Sequence, residues 1–451
     1  VSQTFLYVSH EKIYPREVHG KYAFFRLSGA AVLLGIYFIL PWIRWNGRPA
    51  VLFDLPGRKF FIFDLVIWPQ DLYLLAALLA IAGVALFLFT ALAGRLWCGY
   101  SCPQTVWTEV FLWIERRVEG SRVQQIRLDK SSWSIEKFTK KLVKHGAWLA
   151  VSFVTAIAFV AYFKPIEHLL AELMSFSVHP WPLFWIAFFT VATYSNAGWL
   201  REQVCLHMCP YARFQSAMID LNTLVISYDA ARGEPRGGRK RDFDYRAQGL
   251  GDCINCTLCV QVCPTGIDIR DGLQYQCIGC AACVDACDGV MDKMNYPKGL
   301  IRYTTDNILQ RRQSRIIRPR SVIYSAILLL LIGAVSYAIA TKNLVELDIM
   351  RDRNVLYRVV GDGIIENTFT ARILNKDQRD HVYRIELSGL PDSELQVNMQ
   401  QSAVTSGTIS DATLTVRAKV DFHGSREISV LITAQDDPQV ATETVTTFIA
   451  P

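Results

Sequence analysis

Five long apolar runs constrain this chain more than any other feature: approximately Leu27 to Trp45, Leu72 to Ala93, Ala147 to Phe163, Pro182 to Leu200 and Val322 to Ala340. Each approaches the roughly 20 residues that a helix needs to cross a bilayer. In hydrocarbon every backbone N–H and C=O must be bonded within the protein, so runs of this kind fold as helices or not at all. A hydrophobic content of 51% in 451 residues agrees with a membrane protein. The first 26 residues lack the apolar core of a secretory signal, and no cleavable signal peptide is expected.

Basic residues set the expected orientation. They gather in 1–26, 95–145 and 201–320, with Arg95, Lys144, Arg201 and the run "RRQSRIIRPR" close to span ends. Those three segments hold 4, 10 and 17 Lys and Arg, against 4 and 1 in the connections 41–70 and 164–181. Cytoplasmic loops hold the excess of Lys and Arg, which places the N-terminus inside and the C-terminus outside a bacterial inner membrane. A net charge of +6 suits contact with anionic lipid, and no nucleic-acid-binding motif accompanies it. All twelve cysteines fall in the segments assigned to the cytoplasm. Disulfides are rare there, so the thiols read as metal ligands or redox groups.

Eight of them form a doubled run. "CINCTLCVQVCP" from Cys253 has the C-x2-C-x2-C-x3-C-P spacing of a bacterial [4Fe–4S] ferredoxin, and "CIGCAACVDACD" from Cys277 repeats it with Asp288 in place of the proline. In two-cluster folds the fourth cysteine of each run serves the other cluster. The first cluster is therefore assigned Cys253, Cys256, Cys259 and Cys287, and the second Cys277, Cys280, Cys283 and Cys263. Tight turns between the cysteines aim backbone N–H groups at the cluster and offset its buried negative charge. Zinc also takes paired C-x2-C units, but two offset tetrads with a C-P ending favour iron–sulfur.

The other four cysteines lie in two copies of C-x-x-x-C-P, "WCGYSCP" and "VCLHMCP", each following a pair of apolar runs. An even number of crossings separates the copies, so both emerge on one face, as in a parallel internal repeat. If these stretches are helical, a spacing of four puts Cys98 with Cys102, and Cys205 with Cys209, on one helix face. Pro103 and Pro210 suit the first turn of a following helix. Cys102 and Cys209 would then sit at helix N-termini, where the macrodipole favours thiolate. With His207 and Met208 nearby, these are soft donors suited to copper(I). Alternatively the four thiolates hold a further iron–sulfur centre, or are inert. No histidine lies near the middle of a span, which argues against a membrane haem.

The remaining segments complete a domain plan. A cytoplasmic arm (1–26) precedes a first hairpin (27–94), a cytoplasmic region with the first C-x-x-x-C-P (95–145) and a second hairpin (146–200). The second C-x-x-x-C-P and a basic linker occupy 201–249, the Gly- and Arg-rich stretch "AARGEPRGGRKRDFDYRAQGLGD" itself running over 230–252 into the next domain. A dicluster ferredoxin domain of α+β type (250–295), a basic juxtamembrane segment (296–320) and a fifth span (321–340) follow. In 341–451, stretches such as "ATLTVRAKVDF" and "EISVLITAQ" alternate apolar and polar residues between turn signals. About seven short strands there predict an immunoglobulin-like sandwich without a disulfide, suited to binding a partner.

This order of parts resembles the CcoG, FixG or RdxA family of accessory proteins of cbb3-type cytochrome c oxidase. The resemblance covers essentially the whole chain and rests on Cys98, Cys102, Cys205 and Cys209 with Pro103 and Pro210, and on the eight cysteines from Cys253 to Cys287. It implies a role in oxidase assembly, with reduction of Cu(II) to Cu(I) as the activity. It further implies two [4Fe–4S] clusters as cofactors, copper held at the C-x-x-x-C-P cysteines, and oxidase subunits or copper chaperones as partners. The electron donor, a quinol or a cytoplasmic reductant, is not identified by it. Two other readings are a quinol-oxidising polyferredoxin relay and a non-catalytic assembly scaffold with redox-sensing clusters.

Overall fold

The structure is a computed structural model describing residues 12–240, 244–245, 247–352, 355–361, 363–390, 393–399, 403–420 and 422–451. Part of the N-terminal arm, and Arg241, Asp242, Phe243 and Arg246 of the basic linker, lie outside the described residues. The chain divides into two compact units, Val1–Gly333 and Ala334–Pro451.

In the first unit, helix α1 (Lys21–Ile39) runs on as a 3-10 turn to Trp42. It begins several residues before the apolar run does, because its N-terminus is capped from far away in sequence. The backbone N–H groups of Tyr22 and Ala23 donate to Asp285 Oδ1 and Oδ2 at 3.1 and 2.6 Å. A carboxylate there satisfies orphan donors and complements the helix dipole. Gly20 is needed at this junction, since a Cβ would lie 2.5 Å from Asp285 Cγ. The connection to α2 (Leu72–Ala93) is not a bare loop. It holds a hairpin, β1 (Arg44–Trp45) with β2 (Arg48–Pro49), and a meander of β3 (Val51–Asp54), β4 (Lys59–Ile62) and β5 (Leu65–Ile67).

Helices α3 (Leu96–Tyr100), α4 (Pro103–Glu119) and α5 (Arg122–Lys130) lead to α6 (Ile135–Val160). After α7 (Ile166–Met174), helix α8 (Pro180–Thr193) passes into a π-helical segment, Tyr194–Leu200, and a second π segment follows at Val204–Met208. Among the described residues four helices are long and apolar enough to cross a membrane: Lys21–Trp42, Pro69–Ala93, Ile135–Val160 and Pro319–Ala340. The fourth expected run differs from the other four. It is helical throughout Pro180–Leu200 but changes geometry at Tyr194, where the wider turn seats Gly198 against the Trp148 ring.

Charge is buried where α4, α6 and the N-terminal arm meet. Glu115, 1% exposed, has Lys12 at 3.2 Å, Lys144 at 3.4 Å and Arg201 at 2.9 Å. Lys144 also reaches Glu119 at 2.8 Å, and Asp129 takes Lys12 at 3.0 Å and Lys141 at 2.5 Å. These carboxylates lock the arm onto the helices, since an unpaired buried charge is costly.

Beyond α9 (Pro210–Met218), strand β6 (Val225–Tyr228) and the turn α10 (Ala230–Gly233) enter the cysteine-rich region. There α11 (Leu258–Gln261) and α12 (Ala282–Met294) pack on an antiparallel ribbon of β6 with β7 (Ile301–Thr304), in the register Ile226 to Tyr303 and Tyr228 to Ile301. Met291, Leu300, Ile301 and Ile269 fill this small core. The turn α13 (Asp306–Leu309) precedes α14 (Pro319–Ala340), whose first turn is anchored by Arg318 on Asp220 and the carbonyl of Ala91.

Among the described residues the second unit is a two-sheet sandwich of eight strands, in line with the roughly seven expected. One sheet runs β12 (Ser393–Met399), β13 (Ile409–Lys419), β10 (Ile364–Asn375) and β8 (Val345–Arg351), with β9 (Arg358–Gly361) also on β10. The other runs β11 (Tyr383–Ser388), β14 (Gly424–Ala434) and β15 (Ala441–Ala450), and all pairings are antiparallel. Alternate residues of β13 are buried, as a half-buried strand requires, and Phe369, Val416, Ile432 and Phe448 fill the core. Asn367 ties the sheets together by donating to the Ile449 carbonyl at 2.8 Å and accepting from its N–H at 3.0 Å.

His381 in this unit has a fully buried side chain, with Nδ1 2.8 Å from Asp436 and Nε2 2.8 Å from Asp377. Both ring nitrogens can be satisfied only as donors, which is the imidazolium. Burial opposes that charge, but Asp436 and Asp377 outweigh it and raise the pKa above its ordinary 6.5. The contribution to stability is therefore full below the ordinary value and lost as pH rises through the raised one. Hydrogen exchange on the full chain is expected to show β11 and β14 opening more readily at pH 9 than at pH 6, after correction for intrinsic rates. His381→Ala is expected to remove that difference.

Candidate functional site

The cysteine loops of the ferredoxin-like region are bent in the same way twice. Asn255 and Thr257 have φ of 52° and 58°, and the matching Gly279 and Ala281 have 69° and 58°. Left-handed residues at alternate positions turn successive N–H groups inward, the geometry of an anion-holding nest. Thr257 and Ala281 are also the N-caps of α11 and α12, so each loop passes directly into the helix carrying its third cysteine.

Two small cavities lie behind these loops. One is lined by Cys253, Cys256, Cys259 and Cys287. The other is lined by Cys263, Cys277, Cys280 and Cys283, with Cys259 also on its wall. The fourth cysteine of each run thus faces the other run's cavity. The donor set fits a [4Fe–4S] cluster in each, with four thiols, apolar walls from Leu300, Ile301, Ile226 and Ile267, and the nest N–H groups. Burial pushes the thiols of Cys280 and Cys287 up to about 12 and those of Cys259 and Cys277 to about 11. Bound iron would hold them as thiolates against that burial. Cys256 is exposed, whereas Cys263, Cys277, Cys280 and Cys283 of the second tetrad are half-buried.

The two C-x-x-x-C-P copies are built alike, but not as single helices. Cys98 lies in α3, the helix breaks at Ser101, and Cys102 caps α4 with φ −62° and ψ 129°. Cys205 lies in the second π segment, and Cys209 caps α9 with φ −80° and ψ 110°. The expectation of one shared helix face is therefore corrected. Pro103 and Pro210 occupy first-turn positions, as their fixed φ favours. The preference of Cys102 for thiolate is also corrected: burial raises its pKa, and the backbone N–H groups of Gln104 and Thr105 offset this only in part.

All four cysteines are half-buried and occupy one neighbourhood. Burial raises Cys98 to about 11, and the negative charges of Cys102 and Cys209 add to this. Burial raises Cys205 to about 12, with Cys102, Cys98 and Cys209 contributing. Cys98 Sγ donates to Gln215 Oε1 at 3.3 Å. His207 and Met208 are exposed, Met208 by 61%, unlike the cysteines beside them. Among the described residues no three His, Cys, Asp or Glu side chains stand close enough to enclose a single metal ion. Here the thiols can act as pairs on one ion, or as a wider set around something larger.

Spacing gave no sign of how tightly the first C-x-x-x-C-P meets the second cysteine run. A Cβ on Gly99 would lie 2.8 Å from both the N and Cα of Cys280, so this is backbone against backbone. Arg95 clamps the junction, donating to the carbonyls of Tyr275, Cys277 and Ala212, the last in α9 of the second copy. Arg26 of α1 donates to the Cys280 carbonyl at 2.5 Å, and Tyr303 Oη to that of Gly279 at 2.5 Å. The only forewarning in the sequence was a glycine directly after Cys98.

Comparison with known proteins assigns these regions. Residues 200–306 match the profile of a 4Fe-4S dicluster domain, 74–120 that of a 4Fe-4S binding domain, and 335–451 that of the IG-like fold at the C-terminal of FixG. Protein RdxB of Cereibacter sphaeroides is 40% identical over 92% of this chain and 90% of its own. Protein RdxA of the same organism is 42% identical over 85% of this chain and 84% of its own. The nitrogen fixation protein FixG of Rhizobium meliloti is 36% identical over 87% and 82%. With this identity over most of each relative's length, and with the FixG C-terminal domain present, the chain belongs to the FixG/RdxA family of iron–sulfur electron-transfer proteins of the membrane.

Proposed function

We propose that this protein reduces Cu(II) to Cu(I) at the thiols of its two C-x-x-x-C-P motifs, in the assembly of a cbb3-type cytochrome c oxidase. The observation that carries the reading is the backbone contact of Gly99 with Cys280, which joins a thiol pair to the wall of the second tetrad. Clusters bound by the eight ferredoxin cysteines would supply single electrons, the number that one cupric ion takes up. The chain's own part is to hold the ion. Thiolates are soft donors and favour the cuprous state, so Cys98, Cys102, Cys205 and Cys209 stabilise the product over the substrate. Loading copper displaces thiol protons, since burial makes Cys98, Cys102 and Cys205 poor acids. A copper chaperone or an oxidase subunit would then collect Cu(I). On the orientation read from basic residues, the cysteines lie on the cytoplasmic side of a bacterial inner membrane and the sandwich domain faces the periplasm, free to dock a partner.

The test is anaerobic purification of the full chain, followed by Cu(II) reduction measured with a cuprous-specific chelator. Replacing Cys205 and Cys209 with Ser is expected to abolish the reaction while iron and sulfide stay unchanged. Undiminished reduction in that variant would refute the reading. A second reading is favoured by the match over 74–120, where Cys98 and Cys102 are the available sulfurs. In it the four motif thiols hold a further iron–sulfur centre, and the same variant would lose iron and sulfide.

A further inference from the structure

A cavity of about 710 Å3 opens between α1, α4 and the ferredoxin-like region. It falls in the size range of small-molecule sites, roughly 300–1,000 Å3. One wall is the apolar face of α1, with Leu27, Ala31 and Leu34, so it opens beside a helix read as a membrane span. Thr108 and Trp113 of α4 also line it. Cys205 of a C-x-x-x-C-P motif and Cys280 of the second tetrad are among its lining residues.

Arg201 also lines this space and is 8% exposed. Its Nε donates to the Gly198 carbonyl at 2.8 Å and its Nη2 to Glu115 at 2.9 Å. Its Nη1 is buried and has no acceptor among the described residues. A buried guanidinium donor left unpaired costs free energy that a ligand oxygen recovers. The backbone of Arg201 supports a site here, with φ 42° between two π segments, conformations that concentrate where function over-determines the chain.

We propose that the cavity binds a quinone of the membrane pool, its ring between Thr108 and Arg201 with a ring oxygen accepting from Nη1, and its isoprenoid tail along α1. A neutral ring suits walls on which Arg26, Arg116 and Arg201 are balanced by Glu17, Glu109 and Glu202. An anionic phospholipid headgroup would meet those carboxylates. An apolar tail matches the span-side wall, and a redox-active ring matches two sulfurs from different electron-transfer motifs. The inference deepens the proposed function by naming a class of lipid-soluble redox partner, and rests on that reading only for its purpose.

The experiment uses the full chain in phosphatidylcholine nanodiscs, with decylubiquinone as probe and quenching of tryptophan fluorescence as readout, Trp113 being on the wall. Saturable quenching with one site per chain is expected. Arg201→Gln removes the unpaired donor, and Ala31→Phe fills the tail wall without touching the charge network. Each is expected to weaken binding about tenfold or more. Non-saturable quenching, equal affinity in both variants, or displacement by added phosphatidylglycerol would overturn the proposal. Copper reduction driven by dithionite should persist in Ala31→Phe, so loss of quinone binding and loss of the copper reaction are told apart.

Discussion

Gly99→Val is expected to reduce cupric reduction at least as strongly as loss of a motif cysteine and to alter the EPR spectrum of the second cluster. The added side chain has no free space, because its Cβ would stand 2.8 Å from the backbone of Cys280 and 2.9 Å from that of Gly279. Neither can yield as a flexible side chain would. Overpacking of this kind costs about 1–3 kcal/mol even where neighbours can shift. Here the shift separates α3 from the loop that holds Cys277 and Cys280. Gly83→Ala and Gly146→Ala are the controls, since a Cβ at either meets nothing within 4 Å. Wild-type reduction rates in Gly99→Val, with an unchanged spectrum, would show that this contact is incidental to electron delivery.

Glu115→Gln is expected to destabilise the first unit strongly. Three cations, Lys12, Lys144 and Arg201, face this carboxylate. A neutral amide leaves the buried Arg201 without this anion and Lys144 with Glu119 alone, while the partly exposed Lys12 keeps Asp129. Breaking a buried pair from one side costs about 3–5 kcal/mol. Burial raises the pKa of Glu115, but Arg201, Lys12 and Lys144 outweigh it and hold it at about 2, below the ordinary 4.5. The sign follows: the stabilisation is complete above the ordinary value and is lost as pH falls towards 2. Thermal unfolding of the detergent-solubilised chain should decline through this acid window, and the Gln variant should lack that component. Adding Lys144→Met should recover part of the loss, because the pair is then removed together. No recovery would show that Lys144 is not coupled to this site.

Features that depend on near neighbours were legible in the residues alone. Apolar run length located four helices long and apolar enough to cross a membrane, C-x2-C-x2-C-x3-C spacing located the ferredoxin loops, and strict alternation in "ATLTVRAKVDF" marked a half-buried strand, β13. Each of these follows from a repeat distance of helix, turn or strand, which a few adjacent residues fix. What tertiary structure decided involves partners far apart in the chain. Helix α1 starts at Lys21 because a carboxylate more than 260 positions away caps it. The fourth run turns to π geometry at Tyr194, and Cys98 and Cys102 fall on separate elements. No periodicity records such events, because the energy lies in long-range contacts. The pressing of Gly99 on Cys280 and the unpaired donor of Arg201 belong to the same class. They exist only once the helices, the arm and the cysteine loops have packed together, and that packing brings separately legible motifs into one site.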